Sequence, residues 1–141
     1  MGILSDFFIA TPQEALAADL RLGPASKFPT AQLKSVEIVK VLQLDAILGG
    51  HELDFDRMMP LGEKTTEGPW LFQLPPTLVD QLAALSDTES VEVARRWAET
   101  PEWAAEPGPS RGAASTALRE IRMIARRARA EGKPVLLWLS T

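Results

Sequence analysis

Residues 110–141 read SRGAASTALREIRMIARRARAEGKPVLLWLST, and the fold turns on how this stretch divides. Ala114, Ala117, Leu118, Ile121, Ile124, Ala125 and Ala128 recur at three- and four-residue spacings. At about 100° per residue they fall on one stripe, so the spacing predicts a long amphipathic helix from Ser110 to about Glu131 with a core-facing side. Arg119, Arg122, Arg126 and Arg129 repeat at the same spacings along one flank of that stripe, with Glu120 and Glu131 on the other. Gly132-Lys133 breaks the helix, and Pro134 to Ser140 reads as a buried strand.

Charge sets this stretch apart from the rest of the chain. Residues 111–133 hold six Arg and Lys133 against Glu120 and Glu131, a net of +5. The whole chain of 141 residues carries −4, so the remainder carries −9. An acidic body with one basic helix argues against general nucleic-acid binding, because a phosphate backbone would meet mostly repulsion. The length is that of one domain, residues 1–141, and 45% apolar with 24% charged residues is ordinary globular composition. No run approaches the roughly 18 apolar residues that span a membrane. Met1-Gly2-Ile3-Leu4-Ser5-Asp6 has neither the basic start of a signal peptide nor the Ser or Thr of a myristoylation signal. A chain without cysteine has no disulfide, thiolate metal site or cysteine nucleophile. A cytoplasmic protein is the expectation.

Upstream, Ile3 to Ala10 is short and apolar enough for a buried strand. Thr11-Pro12-Gln13-Glu14 has the makings of a capping box with proline at the first helical position, and Gly23-Pro24 is expected to close that helix near Leu22. Ser35 to Leu48 favours a strand by its Val and Ile content. Lys34, Glu37, Lys40 and Gln43 recur every three residues, however, and the segment reads as a central helix ending at Gly49-Gly50. Residues 51–69 look irregular, and Trp70 to Leu74 is a strand candidate between prolines. Pro75-Pro76-Thr77 leads into a helix through Leu85, Ser86 and Asp87 offer the cap of another, and Thr100-Pro101 starts a single turn through Trp103. Ala104 to Pro109 is a linker.

This order of elements, with Met1-Gly2-Ile3, Asp45-Ala46-Ile47-Leu48-Gly49 and Glu131-Gly132-Lys133-Pro134-Val135, resembles the YfbM-like family of small bacterial proteins. The resemblance implies a fold and brings no catalytic residues. The expected architecture is a helix-rich α+β domain with a small sheet of strands near 4–10, 70–74 and 134–140, and a long C-terminal amphipathic helix.

Candidate chemistry is sparse. His51, Glu52, Asp54 and Asp56 offer one imidazole and three carboxylates, the donors of a metal-assisted hydrolase, but without the spacing of a zinc or EF-hand motif. Arg119, Arg122, Arg126 and Arg129 suit an acidic partner or a phosphate, or, as a weaker reading, an anion or nucleic acid, or they are neutralised by acidic loops at 51–56, 63–67 or 99–106. Trp70, Trp97 and Trp138 fit core positions, whereas Trp103, among acids beside the linker, reads as a half-exposed interface anchor. No G-x-S-x-G elbow, P-loop or G-x-G-x-x-G is present, so no cofactor is implied. The leading expectation is a non-catalytic domain, regulatory or of an immunity or chaperone type, that binds a protein with an acidic surface.

Overall fold

The computed structural model describes residues 3–62, 66–108 and 110–141, with Ser110 described by its backbone alone. The chain runs β1 (Leu4–Ile9), α1 (Pro12–Ala17), β2 (Thr30–Lys34), α2 (Ile38–Gly49), a 3-10 turn (Phe55–Arg57), β3 (Met59–Leu61) and β4 (Trp70–Gln73). Then come α3 (Pro76–Ala84), α4 (Asp87–Ala98), α5 (Pro101–Ala104), α6 (Ser110–Glu131) and β5 (Val135–Ser140). The expected α+β class holds, and so do the strands at both ends of the chain and at 70–73, and the helix over 110–131.

All strand pairings are antiparallel, in the order β2-β1-β5-β4-β3. The last strand is therefore the middle one, bonded to β1 and β4 and covered on both faces. This explains why Val135 to Leu139 can be a continuous apolar run, all buried. Alternation along β1 and β5 sorts the two faces. Phe7, Ile9, Val135, Leu137 and Leu139 pack under the helices, while Phe8, Leu136 and Trp138 pack under α1 and the segment after it, with Ala15, Leu20 and Phe28.

On the helical side, α6 lies against α3 and α4. All seven residues of its apolar stripe are buried, Ile121 at 1% exposure. Four of them are alanines, which lets the neighbouring helices approach closely. In α2, Val41, Leu42 and Leu44 are buried among α3, α4 and α5, as a central helix requires, and Gly50 at φ 66° takes the left-handed cap.

Several expectations are corrected. The helix opened by the Thr11–Glu14 capping box stops at Ala17, not near Leu22. Asp19 accepts from the Arg21 backbone N–H, a local turn that competes with helix, and the chain swings Leu20 onto the second face of the sheet. Two edge strands went unread. β2 is mostly polar, and β3 holds Pro60 at its centre, which an edge position tolerates because one row of its backbone groups has no strand to bond among the described residues. Trp103 is 4% exposed, not half-exposed: it meets Trp97 edge to face, with ring centroids 5.2 Å apart. Of the acidic loops suggested as partners for the arginines, residues 63–65 lie outside the described residues, as does Pro109 of the linker.

Candidate functional site

The arginine row on α6 divides into two pairs. Arg122 is buried, and its Nη2 donates to Leu85 O at 2.8 Å and to the Asp87 carboxylate at 3.1 Å. Arg126 donates from Nη2 to the same Leu85 O at 2.8 Å and from Nε to Ala83 O at 3.3 Å. These carbonyls end α3, where unsatisfied C=O groups and the negative end of the helix dipole attract cations. Ser86 then caps α4, its hydroxyl accepting from Glu89 N while the Glu89 carboxylate accepts from Ser86 N. The two guanidinium groups thus hold the corner between α3 and α4.

Arg119 and Arg129 remain at the surface. Arg119 keeps a loose contact with Glu120, 3.7 Å away, and its side chain is 66% exposed. It borders a groove of about 220 Å³ between α4 and α6, lined by Ser90, Val91, Ser115, Thr116, Leu118 and Arg122, with Asp87 at one end. Arg122 Nε has no hydrogen-bond partner among the described residues although it is buried. Asp87, the one carboxylate among the described residues that line the groove, is 96% exposed and already sits on Arg122.

The four candidate metal donors, the lesser of the sequence's readings, are not brought together. Among the described residues no three His, Asp or Glu side chains converge as a metal site requires. Glu52, Asp54 and Asp56 are exposed, and Asp54 Oδ1 accepts from Asp56 N at the start of the 3-10 turn. His51 instead turns Nε2 to within 3.6 Å of Asp45, while its Nδ1 lies 2.7 Å from Glu52 O. Asp45, fully buried on α2, receives Arg57 Nε at 2.6 Å and Nη2 at 3.2 Å, and Arg57 Nη2 also donates to Thr77 Oγ1 at 2.6 Å. The Asp45 carboxylate holds the Arg57 guanidinium above its ordinary pKa. The result is an ionic tie that pins the 51–57 segment to α2 and α3. Asp45 was missed as a site residue, though a carboxylate on a helix apolar around most of its girth signals a buried partner.

A second buried charge lies at the other end of α2. Lys40 is 1% exposed, its ammonium 2.6 Å from Ser35 O, 2.5 Å from Glu106 and 4.2 Å from the centre of the Trp103 ring. Gln43 donates to Glu102 one turn along, and Trp97 Nε1 donates to Lys40 O at 2.8 Å. Trp103 is therefore a cover over a buried ammonium, a cation–π contact inside the protein. Compared with known proteins, the chain matches no family model, no curated protein and no solved structure.

Proposed function

We propose that the protein is a non-catalytic binding domain that takes an acidic segment of another protein into the groove between α4 and α6. It would work in the cytoplasm, and its order of elements would place it beside the YfbM-like family of small bacterial proteins. The observation that carries the reading is Arg119: an exposed guanidinium with only a loose 3.7 Å contact to Glu120 borders a groove that the polar side chains of Ser90, Ser115 and Thr116 also line. Ser115, Thr116 and Ser90 add hydroxyls, and Val91, 72% exposed, adds an apolar contact. Asp87 supports the choice of an acid, since it is a carboxylate of the chain itself resting on the same guanidinium.

A fluorescent Glu-rich peptide is the probe. Arg119→Glu is expected to weaken its binding roughly tenfold at low salt, with the difference shrinking as salt screens the charges. Asp87→Asn removes the resident competitor and is expected to tighten binding. Equal affinity in wild type and both variants would sink the proposal.

A further inference from the structure

The helical layer leaves one corner of the sheet partly open. Trp70 on β4 lies opposite Leu139 on β5, and Phe72 lies opposite Leu137. Directly opposed side chains point to the same side of a sheet. Trp70 and Phe72 therefore share the face on which Leu137 and Leu139 pack under the helices, and Ile3, just before β1, packs against the same core. Leu139 is buried, but Ile3, Trp70 and Phe72 are only half-buried, as are Ile38 and Val39 in the first turn of α2. Together these six residues line a groove of about 310 Å³ whose walls are hydrocarbon. The Trp70 ring lies close against the backbone, which limits its movement: a Cβ at Gly68 would sit 2.9 Å from its Cζ3.

Glu37, the residue before α2, completes the lining and is its one charged member among the described residues. It makes no side-chain capping bond to the helix. Its carboxylate lies 3.9 Å from the Lys40 ammonium, too far for a hydrogen bond, while that ammonium holds Glu106 at 2.5 Å. Lys40 is 1% exposed, whereas the Glu37 and Glu106 side chains are 28% and 36% exposed. Two carboxylates thus share one buried cation, and the charge that reaches solvent at this end of the groove is negative. No basic residue among the described ones lines the groove to offset it. Hydrocarbon walls beside an acidic rim complement a molecule with an apolar body and a cationic head, and would repel a carboxylate or phosphate head. The volume, near the lower end of the usual roughly 300–1,000 Å³, suits a single short chain.

We propose that this groove binds a small alkylammonium-type molecule, its tail along Ile38, Val39, Trp70 and Phe72 and its ammonium beside Glu37. The site shares no residue with the α4–α6 groove and stands independently of it. Octylammonium, 1-octanol and octanoate, one tail with three heads, are titrated into the methyl-labelled protein and followed by NMR. Octylammonium should shift the Ile3, Ile38, Val39 and Leu139 methyls saturably. At low salt it should bind about tenfold more tightly than octanoate, with octanol between. Hexylammonium should bind about fivefold more weakly than octylammonium. Glu37→Gln, at a position whose side chain caps nothing, should keep affinity for octanol and bring octylammonium close to it. Val39→Ser, a tolerated residue at a helix start, trims the wall and should weaken all three about equally. The assignment is overturned by shifts that never saturate or that spread away from these methyls, or by octanoate binding as well as octylammonium. An ammonium preference intact in Glu37→Gln, or affinities untouched by Val39→Ser, would overturn it as well. Shifts of the same methyls with protein concentration alone would show a second copy covering the groove, and would overturn it too.

Discussion

Reversing the charge of Arg122 and Arg126 separates a structural role from a docking role. Three guanidinium bonds reach the last carbonyls of α3, two of them converging on Leu85 O at 2.8 Å. A hydrogen bond to a charged group contributes about 1.5–3 kcal/mol, and the exposed Arg126 belongs below that range. Arg122→Glu/Arg126→Glu also sets carboxylates against the negative end of a helix dipole, so a loss of about 3–5 kcal/mol is expected. For a chain of 141 residues that is a fall in melting temperature of roughly 10–20 °C. Circular dichroism at helical wavelengths, with a urea titration beside it, reads the change directly. Arg119→Glu/Arg129→Glu, on the same helix but at the surface, should stay within about 1 kcal/mol of wild type. An Arg122→Glu/Arg126→Glu protein melting within a few degrees of wild type would refute the clamp.

The other predictions test separate parts of the fold. Ile121→Asp puts an unpaired carboxylate at a site 1% exposed, and insoluble or non-cooperatively melting protein is expected, since several kcal/mol is a large share of a margin of about 5–15. Arg57→Met leaves the Asp45 carboxylate buried without its main partner, and urea unfolding should register a loss of about 3–5 kcal/mol, with Asp45→Asn restoring part of it. Burial raises the pKa of Asp6 while its Gln32 hydrogen bond opposes the shift, so the folded state holds that proton more tightly than the unfolded chain. The stability this gives is present at low pH and is lost as pH rises through the raised pKa. Asp6→Asn should therefore melt above wild type at neutral pH, with the two curves meeting near about pH 3. Calorimetry with Ca²⁺, Mn²⁺ or Zn²⁺ should show no micromolar site that Asp54→Ala abolishes, because Asp54 is engaged in its own turn.

What the sequence disclosed was local. The α6 stripe, the Gly132 stop, and the capping boxes at Thr11 and Ser86 each need only a few neighbouring residues to be recognised. The edges of the sheet were hidden because β2 and β3 owe their pairing to distant partners, and neither a polar five-residue run nor Met59-Pro60-Leu61 announces a strand by itself. The row Glu37, Lys40 and Gln43 was legible as the polar side of a helix, but not what lies against it. In the fold that side receives Glu102, Trp103 and Glu106, so residues that read as an acidic turn with a half-exposed tryptophan form an internal polar contact.

The arginine row was ambiguous for the same reason, and helix geometry explains how it divides. From Arg119 to Arg129 the α6 axis advances about 15 Å at 1.5 Å per residue. The carbonyls that end α3, Ala83 O and Leu85 O, are two residues apart and occupy a far shorter stretch, about 3 Å. Arg122 and Arg126, four residues and about 6 Å apart along the axis, fit that patch together. Arg119, roughly one turn earlier, and Arg129, roughly one turn later, lie beyond it. Equal spacing in the sequence therefore yields unequal roles, because the cations outnumber what one helix end can accept. Arg119 alone of the outer pair also borders the α4–α6 groove, which makes it the guanidinium best placed for a partner.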